Sequence, residues 1–475
     1  MLKEVNYMTT SIPLNYTEQL FVAKQIITQK PDNIACQLQV GADIDLDRLV
    51  TSLHATVQAI DFLWSDLTLM PGHMTTDPAA CKKNPTIVRM LGEVDNFDAI
   101  HALRKQALSL PVLQQSPHIN LDIVKYKNSY VLILAAPHML FDGIATYLFL
   151  SNWFQNYKAG TAADESFKPP KFQISHNIYS DFADFLPELQ DYCQDSELLT
   201  IPPQAFDSEA LSEMLVYALP ETFEVDLRQL AKKHGACFQV TLLGLISRAI
   251  HAHLANDNFS LRYNRHGRRT QEQRTAFRFL LEDPVLKINT HDHALPQLVN
   301  QIQRELDYFD SKPRMPLFMP QSLIMEHLYP EAQADVAAMM AELNLPASAY
   351  VKPEIMRHYG HMLKNMQQAV KPQEDVFVHV NITPSILLAK PYASKARRAG
   401  IDLQSISFDF NHDKFRELHI FITRDVNNQW HLIAKSPIKH VVLKDMVEMI
   451  LGEIRSKTSD VIMEASKQYP QQLSA

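Results

Sequence analysis

Glycine is scarce in this chain, with 11 in 475 residues, and neither G-x-G-x-x-G nor G-K-[ST] occurs. A glycine-rich phosphate cradle and a glycine-punctuated repeat array are therefore excluded. The four cysteines, Cys36, Cys81, Cys193 and Cys237, show no C-x-x-C spacing, so neither a disulfide framework nor a zinc site is indicated. They fit a reducing compartment. No apolar run reaches the ~18 residues of a spanning helix; the longest, around Val131 to Ala136, is strand-length. Met1-Leu-Lys-Glu-Val-Asn lacks the basic, apolar, small-residue layout of a secretory leader, and a cytoplasmic protein is expected. Basic residues show no surplus, 45 against 53 acidic for a net charge of -8, so no nucleic-acid partner is expected.

Catalytic signatures are missing too. Without Gly-x-Ser-x-Gly, H-E-x-x-H or clustered aspartates, the chain lacks the minimum parts of a serine hydrolase, a zincin or a two-metal phosphoryl transferase. The pairs His251/His253 and His291/His293 do not make up for this. Residues two apart on a helix point in different directions, and the second pair sits in a loop with only Asp292 beside it; no metal site is expected.

What is present is an α/β alternation long enough for two or three domains. A helix over about 17–27, capped by Thr17 or Asn15, precedes a strand at Ile34 to Val40 and an amphipathic helix at Asp45 to Ile60. Strand, helix and strand follow at 86–90, 95–110 and 118–126, and Lys127-Asn128-Ser129 turns the chain into a strand over Tyr130 to Ala136. The polar, proline-ended stretch 159–170 is the preferred domain boundary. A second α/β round begins with a strand at 212–219 and helices at 224–234 and 240–254, with a strand at 259–263. An irregular strand pair broken at Asp283-Pro284, a helix at 296–309, strands at 376–382, 405–410, 419–424 and 430–434, and a helix at 441–454 complete it.

The chemistry concentrates where the strand 130–136 meets the next helix, at Pro137-His138-Met-Leu-Phe-Asp142-Gly143. A histidine at a strand end either caps a turn or stands in a cleft as a base. A reaction that needs one general base and no protein nucleophile is acyl transfer from a thioester to an amine or hydroxyl. Asp142 is open to two roles, an acid or a turn-fixing partner of a buried arginine, and the second is favoured. Asn264-Arg-His-Gly-Arg-Arg-Thr-Gln-Glu-Gln-Arg274 is the most basic stretch, and reads by default as a solvated loop, otherwise as a phosphate clamp or the source of that arginine.

Pro137-His138-Met-Leu-Phe-Asp142-Gly143 resembles the H-H-x-x-x-D-G signature of nonribosomal peptide synthetase condensation domains and the wider chloramphenicol acetyltransferase-like superfamily. Three further stretches match in order: Pro13-Leu-Asn-Tyr-Thr-Glu-Gln19, Tyr179-Ser-Asp181-Phe-Ala183-Asp-Phe185 and Val285-Leu-Lys-Ile-Asn289-Thr290. Together they cover about residues 11 to 455. The departures are Pro137 in place of the first histidine and a missing glycine before the last motif, where Asp283-Pro284 stands.

The resemblance implies two chloramphenicol acetyltransferase-like subdomains, 1–170 and 171–475, set in a V around a central tunnel. His138 would be the catalytic base. Asp142 would be a brace paired with Arg268 of Gly267-Arg268, or secondly with Arg265, while Gly143 and Asn381 would lie along the substrate tunnel. A free-standing acyltransferase is implied, active in natural-product biosynthesis and probed by its donor. No tightly bound cofactor is expected: the acyl group would arrive as a phosphopantetheine thioester on an acyl- or peptidyl-carrier protein, or alternatively on coenzyme A, and pass to a small amine or alcohol. A monomer is expected. The alternative of another class is a non-catalytic docking member of the same fold.

Overall fold

The strand before His138 is apolar on both faces, and both faces are covered in the computed structural model. The structure describes residues 10–64, 66–77, 87–113, 117–160, 184–212, 215–268, 271–291, 294–312, 315, 319–328, 330, 337–338, 341, 352–368, 375–382, 389–410, 417–424 and 429–468.

In chain order β1 (Thr10–Pro13) leads into α1 (Tyr16–Thr28), β2 (Asn33–Gly41), α2 (Leu46–Gln58) and the single turn α3 (Asp61–Trp64). The hairpin β3 (Asp66–Met70) and β4 (His73–Asp77) pairs with β1 in a small three-stranded sheet. Next come β5 (Val88–Val94), α4 (Phe97–Leu108), β6 (Asn120–Tyr126), β7 (Ser129–Pro137) and α5 (Gly143–Ala159). After α6 (Leu186–Cys193), β8 (Leu199–Thr200) and β9 (Leu215–Ala218), the helices α7 (Phe223–Lys233) and α8 (Phe238–Leu254) precede β10 (Asn258–His266). Short α9 (Gln271–Thr275), β11 (Leu281–Glu282) and β12 (Val285–Asn289) are followed by α10 (Leu295–Asp310), α11 (Met319–Leu328) and α12 (Pro353–Gln368). The last elements are β13 (Asp375–Ile382), α13 (Ala389–Arg398), β14 (Leu403–Phe410), β15 (Glu417–Arg424), β16 (Trp430–Lys435) and α14 (His440–Gln468).

Two large sheets organise the chain. The first has the order β14-β2-β7-β6-β5, with β7 antiparallel to both neighbours. Because side chains alternate across a strand, Val131, Ile133 and Ala135 of β7 face Ile100 and Ala107 of α4. Leu132, Leu134 and Ala136 point the other way, into the main core with Ala145 and Phe149 of α5. At about 1.5–3 kcal/mol for each large aliphatic side chain taken from water, this burial anchors the end of β7, where the turn carrying His138 begins. The indole of Trp153 ties α5 to α2 by donating to the Leu49 carbonyl at 3.0 Å.

The second sheet runs β11-β10-β13-β15-β16-β9, with β12 on β10 and β8 on β13. One of its faces is apolar, carrying Leu261, Val378, Val380, Leu418 and Ile420 into the same core as Leu243 and Ile250 of α8. Its other face is largely polar, because the registers Arg262↔His379↔His419 and Asn264↔Asn381 put those side chains on the opposite side, with Phe421 beside them.

The mixed α/β class expected from sequence is the class found. Residue 170, the expected boundary between 1–170 and 171–475, lies outside the described residues; across it, β14 pairs with β2 and Tyr392 of α13 packs on Tyr147 of α5, with ring centroids 5.2 Å apart. Residues 389–410 thus return to the N-terminal sheet. No single helix among the described residues is long and apolar enough to cross a membrane.

Candidate functional site

β7 ends at Pro137, and the next residue still belongs to the ladder: the His138 N–H donates to the Asp32 carbonyl at 2.9 Å. The chain then turns tightly, with Leu140 N–H on the Pro137 carbonyl at 3.0 Å and Phe141 N–H on the His138 carbonyl at 3.1 Å. This turn folds the imidazole back over its own backbone, and Nδ1 meets the Phe141 carbonyl at 2.9 Å. A carbonyl can only accept, so the bond assigns the proton to Nδ1 and leaves the lone pair on Nε2. That is the tautomer a base needs.

Two aromatic rings hold the imidazole, Phe21 of α1 at 4.9 Å and Phe279 edge-on at 5.3 Å between centroids. His138 is half-buried, with its surroundings largely apolar. Burial pushes its pKa below the ordinary histidine value; the Asp32 carboxylate and the Phe141 carbonyl oppose that shift, and Lys24 reinforces it.

Asp142 caps α5. Its Oδ1 accepts from Ala145 N–H at 2.6 Å and from Arg268 Nη2 at 2.9 Å; its Oδ2 accepts from Arg268 Nη2 at 3.0 Å and from Leu280 N–H at 2.9 Å. Both side chains are buried, at 3% and 1% exposure, which leaves this carboxylate no open side toward a substrate. Arg268 also donates to the carbonyls of Gln273, Ala276 and Arg278, and so pulls the segment 273–280 onto the turn that carries His138. Gly267 makes that approach possible, since a Cβ there would stand 2.5 Å from the Leu280 carbonyl oxygen.

The structure therefore brings His138, Asp142 and Arg268 together. It does not bring Arg265 to them. Arg265 pairs instead with Glu282 at 2.9 Å and Asp310 at 2.8 Å, because the register of β10 with β11 sets it directly opposite Glu282. Gly143 is the first residue of α5, half-buried beside the Asp142 cap. Asn381 lies on the polar face of β13, half-buried and opposite Asn264. The Tyr179 motif lies outside the described residues as far as Ala183. Thr290 of the last motif donates to the Asn256 and Asp257 carbonyls, a loop-closing role.

Other parts of the site were not read from the sequence. Arg278 forms a buried ion pair with Glu18 of α1 and donates to the Pro13 carbonyl at 2.7 Å, while Asn15 donates to the Phe279 carbonyl at 3.0 Å. The Pro13 to Gln19 motif thus clamps the segment that carries Phe279 against His138. Asn15, rather than Thr17, is the α1 cap, in a capping box with Glu18. Lys24 and buried Asp32 form an ion pair at 3.1 Å beside His138.

One group of possible metal ligands stands on the polar face of the second sheet, where His379, Glu417 and His419 each place a donor atom within 4.8 Å of the others. Their arrangement suits a polar network better than a cation. The two imidazoles are stacked 4.1 Å apart at 14°, so lone pairs lying in the ring planes do not converge. His379 turns Nδ1 to Glu417 at 3.3 Å and Nε2 to Asn264 Oδ1 at 2.5 Å, while Arg262 takes Glu417 Oε1 at 2.5 Å. His251 and His291 both approach Asp257, at 3.0 and 3.5 Å; His251 is half-buried and the other two are exposed.

No family model and no curated protein matches this chain. Solved structures do. The first condensation domain of the CDA synthetase superposes with a TM-score of 0.62 at 11% identity, over 94% of this chain and 96% of that one. The EpoB nonribosomal peptide synthetase cyclization-docking bidomain from Sorangium cellulosum gives 0.61 at 14% identity, over 94% of this chain and 84% of that one. The epimerization domain from the third module of tyrocidine synthetase B gives 0.59 at 12% identity, over 96% and 99%. With the strand, turn and helix around His138 on one sheet and a second sheet closing on it through Arg268, this chain has the fold of the nonribosomal peptide synthetase condensation domains.

Proposed function

We propose that this protein is a condensation-domain-like acyltransferase that uses His138 as general base to pass an acyl or aminoacyl group from a phosphopantetheine thioester to an amine or hydroxyl. The observation that carries the reading is the bond between His138 Nδ1 and the Phe141 carbonyl, which commits one ring nitrogen and leaves Nε2 basic. In the step envisaged, the acceptor N–H or O–H gives its proton to Nε2 as its lone pair attacks the thioester carbon. The C–S bond then breaks, and the departing thiolate takes a proton from the imidazolium, which returns His138 to its starting state. Asp142 takes no proton in this scheme, because four donor contacts already fill its carboxylate. Its role is to hold the turn.

The structural neighbours are named for condensation, cyclization and epimerization, so the fold alone leaves the reaction open. Condensation is favoured here because a single base satisfies it. The donor is assigned to a carrier protein. Support comes from α13, which rests on α5 through Tyr392 and Tyr147 and presents exposed Arg397 and Arg398 in its last turn, a surface suited to an acidic partner. Incubation with carrier proteins loaded with different acyl groups, with acyl-coenzyme A, and with small amines and alcohols, read by intact mass, tests the assignment. Product from loaded carrier proteins supports it; product from acyl-coenzyme A at rates that no carrier protein improves overturns the carrier assignment.

A further inference from the structure

We propose that the ion pair between Lys24 and buried Asp32 is a positioning device that sets the proton affinity of His138, with Asp32 stabilising the imidazolium form and Lys24 limiting that effect. The proposal rests on the reading of His138 as the base, and it deepens that reading by naming what tunes it. β2 and β7 are antiparallel with Asn33 opposite Pro137, so the next pair outward is Asp32 and His138. The ladder bond from His138 N–H to the Asp32 carbonyl, at 2.9 Å, shows that the pairing continues to this point. Residues opposite one another in an antiparallel pair project to the same face with Cβ atoms about 5 Å apart. The Asp32 side chain accordingly flanks the imidazole.

Asp32 is only 2% exposed, and a buried carboxylate needs a counter-charge. Lys24 supplies it at 3.1 Å. Lys24 lies three residues after Phe21 on α1, the spacing that puts two side chains on one helix face, so the same helix delivers both the ring packed on His138 and the cation paired with Asp32. The third charge near His138 is Asp142, whose carboxylate is already met by Arg268. Asp32 thus differs from the carboxylate of a catalytic triad. It does not orient the ring, because Nδ1 is held by the Phe141 carbonyl; it acts through space on the charge that appears when Nε2 accepts the acceptor's proton. At that moment Lys24 and the imidazolium share one carboxylate. The directions of the electrostatic effects at His138 agree with this geometry, Asp32 raising its pKa and Lys24 lowering it against the larger effect of burial.

The test needs no substrate. The ring C–H resonances of His138, assigned among the 20 histidines by their loss in His138→Gln, are titrated by NMR in the full chain and in Asp32→Asn, Lys24→Met and the double variant. The titration midpoint should fall in Asp32→Asn, rise in Lys24→Met and return toward the wild-type value when both charges are removed. Midpoints that stay fixed, or that move in the same direction in both single variants, overturn the proposal. If Asp32→Asn does not fold, Lys24→Met alone decides, since a midpoint that fails to rise is equally fatal. Turnover by His138→Ala is a separate measurement, so a failed base assignment is distinguishable from a failed role for the ion pair.

Discussion

Asp142 and Arg268 stand 126 positions apart in the sequence and meet at 2.9 and 3.0 Å, both of them buried. This pair joins the two sheets at the His138 turn: Asp142 starts the helix that follows His138, and Arg268 gathers the segment that lays Phe279 on the imidazole.

Asp142→Asn keeps the shape of the side chain and removes its charge, which leaves the Arg268 guanidinium buried without a carboxylate. Breaking such a pair costs about 3–5 kcal/mol. Thermal melts should show a clear fall in Tm together with loss of turnover. A normal melting curve with lost turnover would instead make Asp142 a participant in the chemistry.

Gly267→Ala should weaken the same junction from the other side. The added methyl would meet the Leu280 carbonyl oxygen at 2.5 Å and Glu282 Cγ at 2.6 Å, and the first of these is backbone that cannot swing aside. Overpacking of this kind costs about 1–3 kcal/mol, read as a lowered urea midpoint. An unchanged midpoint would show that the contact between 267 and 280 is loose.

His358 of α12 is almost fully buried and shares a 3.3 Å hydrogen bond with the Tyr16 hydroxyl. Burial, with Arg357 and His361 adding to it, lowers its pKa to about 4, and Glu326 at 4.0 Å does not offset this. A depressed histidine pKa means that the unfolded chain binds the proton first as pH falls. Stability held above pH 6.5 is therefore lost between 6.5 and about 4, by an amount on the order of 3 kcal/mol. Denaturant melts at pH 7 and pH 4.5 should show a smaller loss in His358→Leu than in the native protein. Equal losses would place the acid sensitivity elsewhere.

Much of this arrangement was legible in the sequence where local signals are strong. The apolar run of β7, the Lys127-Asn128-Ser129 turn and the stripes of α2, α7 and α10 follow from periodicity and turn chemistry, which act over a few residues. Arg268 is legible only through the family resemblance, which implies an arginine after a glycine as the partner of Asp142. The hairpin β3–β4 was not assigned, because half-exposed strands with little apolar contrast carry a weak signal. The return of β14 to β2 was invisible for another reason: its alternation says strand but not which sheet. Asp32 was missed because Pro31-Asp32-Asn33 reads as an ordinary turn, and only the strand register sets it opposite His138. Arg278 and Glu18 are 260 residues apart, a pairing that no local pattern encodes.

The central claim is that His138 removes the acceptor's proton, and its most direct test is the rate of product formation by His138→Ala with a donor and acceptor pair that the native protein turns over. The substitution should lower that rate by about 10² to 10⁴-fold while the melting curve stays near native. A folded variant that forms product at the native rate would contradict the account.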